Sequence, residues 1–196
     1  MIYLTPMERN ALLILFKDFS SYYNANSISK ILNISHVGAQ KLFKRLLKDE
    51  ILVCKKIGKS IIYKLRLEDE NVRRLIAFLL ASESDNFKRW KEEFKELNKN
   101  NWIVIMYGSA IKNYDKAQDI DIMVILEKKD VNEVNRILKE KGEILPKKLH
   151  PIKLTFHDLL ENLKNKNKAT IEIIKSAVVL YGQDKYVEII KNVTGI

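Results

Sequence analysis

Residues 107–126 read YGSAIKNYDKAQDIDIMVIL. An apolar run, Trp102 to Met106, leads into Gly108-Ser109, and a second, Ile122 to Leu126, leaves Asp119-Ile120-Asp121. A strand ending in a tight Gly-Ser turn can set backbone N–H groups and a hydroxyl against a phosphate. Side chains alternate along a strand, so Asp119 and Asp121 share one face. Adjacent carboxylates repel unless a cation joins them, and Mg²⁺ held by carboxylates and substrate phosphates is the usual solution. A phosphate turn beside a carboxylate pair points to phosphoryl or nucleotidyl transfer.

Working outward, the pattern predicts a strand over 102–107, the turn, a strand over 119–126, a helix over about 130–141 and a strand over about 152–155. Helical segments near 156–166 and 170–176 follow, then a last helix over about 184–193. This is an α/β unit with a small mixed sheet. Ile120, Ile122 and Val124 oppose the aspartates, while Met123 and Ile125 make the rest of that strand apolar on both faces. Only its beginning is built for chemistry.

The run from Tyr107 to Leu126 resembles the nucleotidyltransferase superfamily, in its minimal nucleotidyltransferase branch. The signature is an apolar residue, Gly-Ser, a gap of about ten residues, then Asp-x-Asp on a strand. The resemblance spans about residues 101–190 and includes Val179-Leu180-Tyr181-Gly182 near the end. It implies that Gly108 and Ser109 hold the triphosphate of a nucleoside triphosphate, and that Asp119 and Asp121 are the catalytic pair and ligate Mg²⁺. Lys112 and Lys116 are placed to neutralise phosphate charge, or are solvated loop lysines. It also implies a third carboxylate on the next strand. There the chain reads His150-Pro151-Ile152-Lys153-Leu154-Thr155, with Lys153 where the acid is expected, and no acid occurs from Ile144 to His157. A lysine cannot ligate a metal as a carboxylate does. Two readings stay open: weakened or lost catalysis with retained nucleotide binding, or an active Mg-dependent nucleotidyltransferase. Some relatives act with small helical toxin partners, so the resemblance also admits such a protein partner.

The first third reads differently. Thr5-Pro6 opens a helix as cap and first residue, continued by Leu12, Leu13, Leu15, Phe16 and Phe19 toward Tyr22 or Tyr23. Ser27 can cap a short second helix, Asn33-Ile34 makes a tight turn, and Ser35 caps a third helix to about Asp49. Ile51-Leu52-Val53 and Ile61-Ile62-Tyr63, joined across Gly58, form a hairpin with a basic tip. Three helices and a two-stranded ribbon resemble the winged helix-turn-helix superfamily, whose third helix enters the major groove of double-stranded DNA. On that helix His36, Gln40 and Lys44 lie on one line, and Lys41, Arg45 and Lys48 on the next. Gln40 suits a base edge, and the lysines and Arg45 suit phosphates. Lys55, Lys56, Lys59 and Lys64 extend the footprint along the wing. A solvated basic face used for protein contacts is the alternative.

Charge supports the division. Of a net +10, residues 1–67 carry 12 Lys/Arg against 4 Asp/Glu, and residues 68–196 carry 23 against 21. The expected fold class is therefore α/β (α+β, two-domain). It comprises a winged helix-turn-helix over 1–67, a helical linker over 68–99 and a nucleotidyltransferase-like mixed-sheet domain over 100–196. Within the linker, Phe87, Trp90, Phe94 and Leu97 form a stripe that packs on its own chain or pairs two chains into a homodimer. Cys54 is the only cysteine, which excludes an internal disulfide and fits a reducing cytoplasm. His36, His150 and His157 are scattered without zinc-like spacing. The short apolar runs predict neither a signal peptide nor a membrane span.

Overall fold

The computed structural model describes residues 3–99 and 101–194. The expected domain limits at residues 1, 100 and 196 lie outside the described residues. The chain divides into two compact units between Ile76 and Ala77.

In the first unit, α1 (Pro6–Lys17), α2 (Ala25–Leu32) and α3 (His36–Lys48) precede the antiparallel pair β1 (Leu52–Ile57) and β2 (Ser60–Leu65), the winged-helix order. Thr5 caps α1 in a reciprocal box with Glu8. The helix ends at Lys17, short of Tyr22, because the chain turns so that the Tyr63 N–H can donate to the Tyr23 carbonyl at 2.9 Å. The cap of α2 is Asn24, with Ser27 completing the box one turn in, so α2 starts earlier than its apolar residues suggest. Asn33, left-handed at φ 52°, closes it, and Ser35 caps α3. Ala39, Leu42, Phe43 and Leu46 are the buried side of α3, with Phe43 stacked on Tyr63 at 4.0 Å between ring centres. The wing turns at Gly58-Lys59, where φ +58° suits glycine.

The boundary falls inside α4 (Glu70–Ser84), whereas the sequence pattern suggests a linker over 68–99. Beyond it come α5 (Lys88–Glu93), β3 (Ile103–Tyr107), α6 (Ser109–Lys112), β4 (Asp119–Leu126), α7 (Val131–Ile144) and β5 (Lys148–Thr155). The chain ends with α8 (Phe156–Lys164), α9 (Lys168–Ser176), β6 (Val178–Tyr181) and α10 (Gln183–Thr194). The sheet order is β5-β4-β3-β6; β3 runs antiparallel to β4 and β6, and β4 and β5 run parallel, so the sheet is mixed.

Val104 and Met106 of β3 and Ile120, Ile122 and Val124 of β4 share one core with Val134, Ile137 and Leu138 of α7. Trp90, Phe94 and Leu97 complete it, with Phe87 packed alongside. The aromatic stripe therefore packs on its own chain and is not free to form a coiled-coil seam. Each such side chain contributes roughly 1.5–3 kcal/mol on burial. The opposite face, with Ile103, Ile105, Met123 and Ile125, is covered by α8, α9 and α10. No described helix is long and apolar enough to cross a membrane.

Two strands of the second unit also depart from the sequence reading. The segment Val178–Tyr181 is a strand, and β5 begins at Lys148 rather than near residue 152.

Candidate functional site

The sheet brings the Gly-Ser turn and the aspartates together at one end. Tyr107 pairs with Asp121 across β3 and β4, so the Gly108 backbone turns directly over the Asp121 carboxylate. Gly108 has φ +79° and ψ −157°, and a Cβ there would lie 2.1 Å from Asp121 Oδ2. Glycine is required for both backbone and space. Ser109 and Lys112 are exposed on α6, as is Lys116 in the following loop. Asp119 and Asp121 are half-buried, and their face of β4 is the one that α8 approaches.

The register of β5 overturns the placement of Lys153. Asp119 pairs with Lys148, Asp121 with His150 and Val124 with Lys153. Lys153 thus lies beyond the site, and its Nζ donates to Asn135 Oδ1 at 2.6 Å. The residue that faces the aspartates is His150, with Nδ1 at 3.0 Å from Asp119 Oδ2 and 3.9 Å from Asp121 Oδ1. Ligand atoms of Asp119, Asp121 and His150 all lie within 4.8 Å of one another. Histidines scattered in sequence are no guide here: parallel pairing across the α7 crossover brings His150 to the site.

Electrostatics follow from this packing. Burial, then the neighbouring Asp119 charge, raises the Asp121 pKa above the ordinary carboxylate value, partly offset by His150. The Tyr107 phenol is pushed up to about 12 by burial and by the charges of Asp121 and Asp119.

Lys147 holds the loop between the two motifs. Its Nζ donates to the carbonyls of Tyr114, Asp115 and Ala117, the last at 2.6 Å, and sits 4.4 Å from the Tyr114 ring centre. Arg89 covers the same ring at 4.2 Å. Only the fold reveals this role, since its acceptors are backbone atoms far upstream.

In the first unit, His36, Gln40, Lys41, Lys44 and Lys48 of α3 and Lys55, Lys56 and Lys59 of the wing are exposed. Arg45 differs. It bonds the Tyr3 carbonyl and pairs with Glu8 Oε1 at 3.2 Å, while Glu8 is buried and Asp49 lies at 3.9 Å. Arg45 ties α3 to α1 rather than standing free beside the lysines. Lys64 lies 5.7 Å from the Tyr22 ring centre, at the base of the wing.

The model of the family described as "Polymerase beta, Nucleotidyltransferase" matches residues 89–186, half of the chain. The chain belongs to this family. Its nucleotidyltransferase region starts within α5, in keeping with Trp90, Phe94 and Leu97 lying in that core. No curated protein matches significantly. Among solved structures, the chain is similar to the adhesin competence repressor AdcR from Streptococcus pyogenes at 18% identity and a TM-score of 0.38, the match covering 47% of this chain and 67% of that one. It is also similar to a mutant of Lactococcus lactis ZitR in complex with DNA, at 16% identity and a TM-score of 0.37, covering 48% and 64%. Both likenesses are weak, and the winged-helix description rests on the element order itself. As a nucleotidyltransferase-family domain, the second unit has the Gly-Ser turn and the aspartate pair in place, with an imidazole at the third position.

Proposed function

We propose that this chain is a DNA-binding transcriptional regulator whose nucleotidyltransferase-family domain binds a metal–nucleotide complex with weakened or lost transfer catalysis. The observation that carries the catalytic half is His150 facing Asp119 and Asp121. An imidazole brings no negative charge, so the site neutralises less of a cation's charge than three carboxylates do. The DNA half is supported by five exposed polar or basic side chains on α3 continuous in kind with three exposed wing lysines.

In this reading Gly108 lets the chain pass close to the Asp121 carboxylate, so that the turn that would receive phosphate and the ligands that would hold a cation lie side by side. The Ser109 hydroxyl and the exposed Lys112 offer a donor and a positive charge there. Asp119 and Asp121, with His150, would hold the divalent cation, Mg²⁺ by resemblance. Such an ion would supply positive charge against a bound triphosphate. Lys147 keeps the intervening loop in the shape that brings the two motifs together. A homodimer on a two-fold DNA site belongs to the same reading.

The intact Gly108–Asp121 fit favours a second reading, an active nucleotidyltransferase that transfers a nucleoside monophosphate to a protein or small-molecule hydroxyl. A small helical toxin-like partner is one candidate acceptor. Calorimetry with Mg-ATP and incubation with α-labelled ATP separate the two. Binding without label transfer is expected; rapid labelling of the protein or an added acceptor favours the second reading. Absence of nucleotide binding defeats both.

A further inference from the structure

We infer that Asp119, Asp121 and His150 form a site selective for a divalent transition ion of the zinc or cobalt type over Mg²⁺. The inference rests on the metal–nucleotide reading above and specifies its ion. Two oxygen ligands from β4 and one nitrogen ligand from β5 converge within 4.8 Å, and the register sets all three on one face of adjacent parallel strands. Mg²⁺ is a hard ion that takes oxygen ligands and keeps much of its water. Zn²⁺ and Co²⁺ accept imidazole nitrogen together with carboxylate oxygen, and their affinity for such mixed sites exceeds that of earlier divalent ions. Three protein ligands leave a coordination position open for a phosphate oxygen.

The donor atom already points inward. Nδ1 is the nitrogen 3.0 Å from Asp119 Oδ2, so both donor atoms are already close enough to share one ion. The opposing glycine adds a constraint. With no Cβ at Gly108, the Asp121 carboxylate sits directly beneath the backbone turn, so the residues that would hold the ion lie next to the Gly-Ser turn.

Co²⁺ is the probe. Full-length protein stripped of metal is titrated with Co²⁺ and followed by its visible absorption, then challenged with Mg²⁺, in the presence and absence of ATP. The wild type is expected to require on the order of tenfold or more Mg²⁺ for displacement than the His150→Asp variant. Proton NMR of the Co²⁺ form should show a strongly shifted ring N–H resonance that is missing from His150→Asp and His150→Ala. His150 is 44% exposed, and circular dichroism checks that the variants fold. Co²⁺ binding with no shifted ring proton, or a Mg²⁺ requirement equal in wild type and His150→Asp, overturns the inference and leaves the metal–nucleotide reading standing. No Co²⁺ or Mg²⁺ binding with ATP present, or binding undiminished in the double variant Asp119→Asn, Asp121→Asn, overturns both.

Discussion

Nδ1 of His150 stands 3.0 Å from Oδ2 of Asp119. An imidazole therefore shares the end of the sheet with two neighbouring carboxylates and offsets part of the penalty on the Asp121 charge, whose pKa stays raised by burial first and by Asp119 second. Replacing Asp121 with Asn removes a penalised charge. In chelator-treated protein at neutral pH, Asp121→Asn should raise thermal stability slightly, the gain being reduced by solvent screening of this half-buried group, while abolishing metal binding. Thermal melts with and without divalent ion check both halves.

Gly108→Ala should do the reverse to the backbone. The residue has φ +79°, and its Cβ would meet the Asp121 carboxylate at 2.1 Å. A loss of roughly 1–3 kcal/mol is expected from the backbone conformation alone, with nucleotide affinity lost as Asp121 is pushed aside. Denaturant unfolding and calorimetry measure the two effects.

Lys147→Met keeps most of the unbranched side chain and removes its charge. Three backbone carbonyls then lose a cationic donor. A cost of roughly 1–3 kcal/mol follows, and hydrogen exchange should rise across residues 113–118 before it rises in β3 or β4.

On the first unit, position 45 and its neighbours should separate cleanly. Arg45→Ala leaves the buried Glu8 without its cation and should cost about 1–3 kcal/mol. Lys44→Ala with Lys48→Ala should leave stability within ~0.5 kcal/mol. It should lower the slope of log affinity against log salt by about 0.9 per lost phosphate contact. An unchanged slope would remove α3 from the DNA interface.

Alkaline titration addresses Tyr23. Burial, the hydrogen bond at 2.6 Å to Asp18 and the Asp18 charge push its phenol up to about 12. The folded chain holds this proton more tightly than the unfolded chain does. The stabilisation is full below the ordinary value of 10.0 and is lost as pH rises through about 12. Tyr23→Phe should lower stability by about 1 kcal/mol at neutral pH, and the deficit should shrink over that alkaline window. Melts across the pH range test it.

Features carried by local pattern were legible in the sequence. Alternation along Asp119–Leu126 gives the strand and the shared face of its aspartates, and the Ser35 cap with Leu42 and Leu46 gives α3. Features set by long-range pairing were not. The identity of the residue opposite Asp121 depends on the register of a parallel pair joined through α7, and the weak apolar pattern of β5 does not announce that it starts at Lys148. Arg45 looked like its neighbouring lysines because its partner, Glu8, lies on another helix. In α2, the spacing of Ile28, Ile31 and Leu32 concealed a start at Ala25 that Asn24 determines.

The position of β5 at the margin of the sheet has a further consequence. Among the described residues its far side has no neighbouring strand, and the exposed Pro151, Lys148 and Lys153 along it discourage another chain from adding a strand. Residue 150 thus hangs from a strand anchored on one side only, outside the packed interior. Exchanging it alters what confronts the aspartates without asking the core to repack, so the side chain opposite them can change at a single, structurally inexpensive codon.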